Sequence, residues 1–202
     1  MKSYTLLLAL LLASFTLTQC DEGTLTGSTT QTIDSVTFTS AENESLLFMI
    51  EEEKLARDVY ITLGERFNLN VFANIQQSEQ KHMDAVENLI LTQKLQLPST
   101  LEQVGEFENE DLQNLYTTLI EQGSVSDTNS LTAGAFIEEV DIKDLQLLLD
   151  ATITNDQIIT VYHNLIAGSE NHLRAFVRNL NNRGIDYVPQ ILTQEQFDAI
   201  IN

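Results

Sequence analysis

Phe72-Ala-Asn-Ile-Gln-Gln-Ser-Glu-Gln-Lys-His-Met-Asp-Ala-Val-Glu-Asn-Leu89 is the stretch whose reading decides the fold. Every third or fourth residue gives Phe72, Ile75, Glu79, His82, Val86 and Leu89, the repeat of one face of an α-helix. Glu79 and His82 therefore interrupt an apolar stripe one turn apart. Burying a carboxylate and an imidazole without partners is costly. A Glu-x-x-His pair facing the inside of a helix bundle is half of the ligand set of a two-metal carboxylate site, so the neighbouring helices should supply the rest.

Outward from this stretch, amphipathic segments continue in both directions, and Pro98 and Pro189 are the only prolines in the 202 residues. The pattern predicts an all-α domain over residues 40–202. A first helix spans about Ala41 to Phe67, entered at Thr39 or Ser40 with Glu42 or Asn43 placed for capping. The second starts after Asn70 and fades before Pro98. A longer connection holds a short helix, about Asn109 to Gln122, stopped by Gly123. The third main helix covers about Thr128 to Asp150. The fourth opens at Thr154, with Thr154 to Gln157 as a capping box, and runs to Asn182 with Gly184 as its stop. An extended tail from Ile185 leads to a last short helix opened by Thr193 to Gln196. Two helices, a long connection and two more helices make a four-helix bundle with one crossover.

The seam of each main helix carries the same anomaly. In the first, Leu46, Ile50, Tyr60, Leu63 and Phe67 share a stripe with Glu53. Glu51 and Glu52 flank it, and Glu51 reads as part of a solvated acidic run near a helix start. In the third, Leu131, Ala135, Ile142, Leu145 and Leu149 enclose Glu138, with Glu139 as the fallback. Asp141 is either a second carboxylate of the same site or part of the charged face with Lys143 and Asp144. In the fourth, Ile158, Tyr162, Leu165, Ser169, His172 and Phe176 form the seam, and His172 points inward. Ser169 stands where a second Glu-x-x-His would need an acid, and Glu170 lies on a neighbouring stripe. Arg57 and Arg174 offer the competing explanation that these buried acids are simply ion-paired.

The formal charge is −20, from 30 acidic and 10 basic residues, with no basic patch. Nucleic acid and anionic lipid surfaces are poor partners on that ground, and no nucleic-acid partner is expected, whereas metal ions are attracted. Met1-Lys2 and the apolar run Leu6 to Ala13 form the pattern of an export signal over residues 1–19. Cys20, the only cysteine, resembles a lipoprotein lipidation site despite Gln19 before it, so the only membrane contact expected is a lipid anchor. Residues 20–39, rich in Thr, Ser and Gly, read as a tether. One cysteine cannot form an internal disulfide.

Four blocks, Glu51-Glu-Glu-Lys-Leu-Ala-Arg-Asp-Val-Tyr60, Ser78-Glu-Gln-Lys-His-Met-Asp-Ala85, Ile137-Glu-Glu-Val-Asp-Ile-Lys-Asp-Leu145 and Gly168-Ser-Glu-Asn-His-Leu-Arg-Ala-Phe176, resemble the ferritin-like superfamily and, within it, the bacterial DUF2202 family. The resemblance covers about Glu44 to the C-terminus. It implies a ferritin-like four-helix bundle with Glu53, Glu79, His82, Glu138 and His172 as metal ligands and Tyr60, seven residues after Glu53, as a hydrogen-bond partner behind them. It implies one or two ions, iron being the expected metal and another divalent transition metal the substitute, with oxidation of Fe(II) or reduction of peroxide as the chemistry. Asp141 resembles a shortened form of the second acid in the Glu-x-x-Glu of rubrerythrins. Ser169 departs from the pattern and puts the second metal in question. With no Cys-x-x-Cys pair there is no rubredoxin-type iron centre. The competing expectation is a non-catalytic scaffold or binding lipoprotein of the cell envelope, and assembly as a homo-oligomer is compatible with either.

Overall fold

The computed structural model describes residues 37–202, and the segments expected to be an export signal and a tether, with Cys20, lie outside the described residues except for residues 37–39. Among the described residues there are six helices and no strand: α1 (Ser40–Phe67), α2 (Asn70–Thr92), α3 (Glu110–Gly123), α4 (Asp127–Ala151), α5 (Asp156–Asn181) and α6 (Gln194–Ile201). None is long and apolar enough to cross a membrane.

Two apolar clusters form the core. One joins Leu55 to Leu63 of α1, Phe72 and Ile75 of α2, Leu131 to Ile142 of α4 and Leu173 to Leu180 of α5. The other joins Leu46 to Ile50, Met83 to Ile90, Leu145 and Leu148, and Ile158 to Leu165 of the same helices. The order in which each helix meets the clusters gives its direction. Helices α1 and α2 are antiparallel, as are α4 and α5, while α2 and α4 run the same way. A chain leaving α2 must therefore travel the length of the bundle before starting α4, and the connection containing α3 makes that journey. The seam residues Glu53, Glu79, His82 and His172 fall where their helices pass from one cluster to the other, and Glu138 lies between Ile137 and Ile142 of the first.

The helix starts follow local chemistry. Thr39 caps α1, its side chain accepting from the Glu42 amide while the Glu42 carboxylate accepts from the Thr39 amide at 2.8 Å. Phe38, only 4% exposed, is packed in the core, so the packed helical unit begins before residue 40. Thr193 to Gln196 opens α6 as expected, and Thr193 and Gln196 form a capping box there. The box expected at Thr154 to Gln157 does not form. Asn155 caps α5 instead, and Thr154 gives its amide and hydroxyl to Glu42, which also accepts from the Asn155 amide. A distant carboxylate has outcompeted the local Gln157 carboxamide because it satisfies several donors at once.

Gly184 takes the left-handed conformation expected past the end of α5, with φ of 74°. Gly123 does not act that way. It is the last residue of α3, and a Cβ there would lie 2.7 Å from Leu63 Cδ1, so close packing requires it.

Glu42 thus ties the start of α1 to the start of α5. Burial resists its charge, but the amides of Thr39, Thr154 and Asn155 hold its pKa down to about 2. A group with a depressed native pKa stabilises the fold above its unfolded pKa and loses that contribution as pH falls through the native value. Glu42→Gln is expected to cost about 1–3 kcal/mol at neutral pH. In urea titrations the gap to wild type should close as pH falls from 4.5 to about 2.

Candidate metal centre

Helix α1 is buried on every side from Glu51 through Tyr60, and this is what brings its acids to the inside. The residues expected at the seam meet in one layer. Glu53 from α1, Glu79 from α2 and Glu138 from α4 are each at most 2% exposed, and His82 and His172 close the layer from α2 and α5. The His82 Nδ1 is 3.1 Å from Glu53 Oε2 and 2.8 Å from Glu79 Oε2. The His172 Nδ1 is 2.8 Å from Glu79 Oε1 and 3.5 Å from Glu138 Oε2. The two oxygens of Glu79 therefore face different imidazoles. The rings stack with centroids 5.4 Å apart.

Two triads result, Glu53/Glu79/His82 and Glu79/Glu138/His172, each with ligand-type atoms within 4.8 Å of one another. Glu79 belongs to both. Hydrogen bonding does not exhaust these atoms: Glu53 Oε1, Glu79 Oε1 and His172 Nδ1 are buried without an aligned hydrogen-bond partner, although the last two are only 2.8 Å apart.

Electrostatics follow from burial and pairing. Burial disfavours imidazolium, but Glu53 and Glu79 overcome it at His82 and raise its pKa to about 11. Glu138 and Glu79 do the same at His172, to about 10. Burial would also raise Glu79, yet its two histidine partners bring it below the ordinary value. Burial raises Glu53 against the pull of His82, and raises Glu138 to about 7 against His172. Left to itself, the layer sets three carboxyl groups against two imidazolium ions, which leave one negative charge uncompensated when all three are ionised. Those protons occupy the side of each ring that a cation would need.

Tyr60 donates to Glu138 Oε1 at 2.5 Å, the role expected of it. Burial, then the negative charge of Glu138, drives its pKa well up, so it stays a neutral donor. Glu139 is not an alternative to Glu138, because it accepts from Tyr187 and from the amides of Gln190, Ile191 and Leu192, pinning the tail. Glu170 pairs with Arg174 away from the layer. Arg57 bonds Asp58, Gln80 and the Leu101 carbonyl, and Arg174 bonds Glu170, Asn171 and the Ile200 carbonyl. The buried seam acids are not the partners of these arginines.

Two expectations need correcting. Glu51 is not part of a solvated run: it is 5% exposed and accepts from the amides of Glu108 and Asn109, because the connection between α2 and α3 folds over it. Asp141 is not on a charged outer face either. It is buried and hydrogen-bonded by the Ser169 hydroxyl, which replaces the acid missing from α5 with a link to an acid on α4.

Sequence reasoning missed Gly168. A Cβ at this position would lie 2.5 Å from His82 Nε2, so the imidazole rests against bare backbone of α5. A glycine inside a helix costs about 1 kcal/mol relative to alanine, and that anomaly was the available signal. Gly134 is similar, with a Cβ there falling 2.4 Å from the Phe176 ring that packs on Tyr60.

Comparison with known proteins gives concordant results. The family described as "Uncharacterized protein domain (DUF2202)" matches residues 42–202. The "Uncharacterized protein MJ0754" of Methanocaldococcus jannaschii is 46% identical over 161 residues, spanning 80% of this chain and 86% of that protein. The crystal structure of hypothetical protein MJ0754 superposes with a TM-score of 0.78 at 43% identity, covering 87% of this chain and 97% of that one.

Gly168→Ala should push the His82 ring out of the layer while leaving the helices intact. Overpacking of this kind costs about 1–3 kcal/mol. Imidazole NMR signals of His82 should move more than those of His172, with an unchanged far-ultraviolet dichroism spectrum.

Proposed function

The chain belongs to the DUF2202 family, and on that footing we propose that it is a ferritin-like four-helix protein holding one or two transition metal ions, iron first among them. Glu53, Glu79 and His82 would hold one ion and Glu79, Glu138 and His172 the other, with Glu79 shared. The observation that carries this reading is the pair of 2.8 Å approaches from the two oxygens of Glu79 to two different imidazole nitrogens. Donor atoms at right angles on one ion, with bonds of about 2.1 Å, stand about 3 Å apart. The separations here are of that size, and His172 Nδ1 and Glu79 Oε1 adopt theirs without hydrogen-bond alignment. The helix directions, with the second and third long helices running the same way, support the ferritin-like arrangement.

Mixed carboxylate and imidazole donors suit iron and its neighbours. Bound there, the metal would supply redox chemistry toward oxygen or peroxide. The residues behind it orient the ligands: Tyr60 fixes Glu138, and the backbone at Gly168 sets the plane of His82. Export through residues 1–19 and lipidation at Cys20 would place the protein at the cell envelope, a reading supported by the sequence pattern alone. The non-catalytic scaffold has one observation in its favour, Ser169 in place of an acid.

The deciding experiment loads the full chain with Fe(II) in the absence of oxygen, counts ions per chain, then follows oxygen and peroxide consumption. Up to two ions are expected. Glu79→Ala should weaken both by at least about tenfold, and Glu53→Ala mainly one. Failure to bind metal, with Glu79→Ala as stable as wild type, rejects the reading; two irons with rapid oxidation reject the scaffold.

Proton competition supplies a second prediction. Because each ion must displace a proton from an imidazole held charged, affinity should fall as pH is lowered from about 8 to about 6. Calorimetry in buffers of different ionisation enthalpy should register proton release on binding.

A further inference from the structure

The five groups of the Glu/His layer are not equally hidden. The side chains of Glu53, Glu79 and Glu138 are at most 2% exposed, whereas those of His82 and His172 are 12% and 11% exposed. Each ring turns Nδ1 to the carboxylates, so its far edge is the part that meets solvent. The layer therefore opens where these two rings stand, between α2 and α5.

The other sides are covered. The connection between α2 and α3 is held over α1 by Glu51, Lys54 and Arg57, and Arg57 also bonds Gln80 across the α1/α2 edge. Between α1 and α4, Glu52 and Asp141 are buried. Over α4 and α5, Glu139 and Arg174 hold the C-terminal segment, from which Leu192, Phe197 and Ile200 enter the core. By contrast Asn164 and Asn171, on the side of α5 next to Gly168, are exposed.

Short side chains wall this opening. Adjacent helical residues point about 100° apart. Glu79 points into the layer and Gln80 toward α1, where Arg57 bonds it, so Ser78 lies on the opposite flank of α2, toward α5. Helices α2 and α5 are antiparallel, and His82 rests against Gly168. Four residues back along α2 and four forward along α5, Ser78 therefore stands opposite His172. Each imidazole is faced across the edge by a very small residue, glycine for His82 and serine for His172.

We propose that this notch is the port through which a small neutral oxidant, dioxygen or hydrogen peroxide, reaches the layer, with Ser78 and Gly168 setting its width. The proposal rests on the reading of the layer as a metal centre. A molecule of two heavy atoms passes an opening one side chain wide. An organic hydroperoxide, with its carbon branches, does not.

Dissolved dioxygen broadens the NMR signals of protons it can reach, which tests the port on the full chain without metal. The ring protons of His82 and His172 should broaden, and Ser78→Phe should largely abolish that broadening by filling the notch. Gln77→Phe, on the exposed face of α2, should leave it unchanged. Broadening that survives Ser78→Phe overturns the proposal. Ala85, on the same flank of α2, is the position to fill should Ser78→Phe fail to fold. In the chain loaded with Fe(II), the preference for hydrogen peroxide over tert-butyl hydroperoxide as oxidant should exceed that of free Fe(II) by at least about tenfold. Ser78→Phe should slow the hydrogen peroxide reaction with the number of bound ions unchanged. A preference equal to that of free Fe(II) overturns the proposal. A chain that binds no iron yet shows the dioxygen effect and its loss in Ser78→Phe rejects the Glu/His metal centre alone.

Discussion

Everything in this fold answers to one constraint: α1 is enclosed on all sides while carrying Glu51, Glu52, Glu53, Lys54, Arg57 and Asp58 in its buried stretch. A helix with no exposed face is ordinarily apolar all round. Here each charge needs an answer from another part of the chain. Asp58 receives Lys54 and Arg57 and the Gly105 amide. Lys54 also reaches the carbonyls of Gln103 and Glu106 and lies 4.1 Å over the Phe107 ring. Arg57 takes the Leu101 carbonyl, and Glu51 takes the amides of Glu108 and Asn109. The long connection is therefore clamped to α1 along its path. Its irregular backbone is satisfied by side chains in place of a sheet or helix ladder.

The same constraint explains why the Glu/His layer sits where it does. With the outer charges of α1 consumed by the connection, Glu53 faces the remaining side, where only α2, α4 and α5 are available. Each supplies a group at the matching height. Buried ion pairs contribute little net stability, because desolvation offsets their attraction, yet removing one member costs about 3–5 kcal/mol. The layer lies between two apolar clusters. A polar stratum that interrupts a core without strengthening it is best understood through what it holds. The proposed metal ions would take the place of the two imidazolium protons that now offset part of its negative charge.

Much of this was legible in the sequence because seam positions are a local property. Glu53, Glu79, Glu138 and His172 each violate a helical stripe, and a stripe fixes direction within a few tens of degrees. The role of Tyr60 came from the family resemblance, not from the stripe. What failed was everything decided by distant chain. Glu51 looked solvated because nothing nearby announces that residues 108 and 109 will fold onto it. Glu42 looked like a local cap, and its larger role toward Thr154 and Asn155 spans more than a hundred positions. Glu52 was passed over as a flank of Glu53, since adjacent helical residues point about 100° apart and only the burial of α1 on all sides makes both inward.

Ser169 sharpens the difference between the two triads. An acid at that position would have sat one turn before His172, mirroring Glu79 before His82. The hydroxyl instead binds Asp141, so negative charge is present at that end of the layer but is anchored on α4 and restrained by a hydrogen bond. Glu53 and His82 share an aligned hydrogen bond at 3.1 Å, whereas His172 stands 3.5 Å from Glu138 and is left unaligned. The α1/α2 triad is thus preorganised and the α4/α5 triad is not. On the proposed reading, a first ion would settle on the Glu53, Glu79 and His82 side, and its charge on the shared Glu79 would weaken that carboxylate's hold on the His172 proton. Occupancy of the second position would then depend on the first, an order imposed by one shared carboxylate and one missing acid.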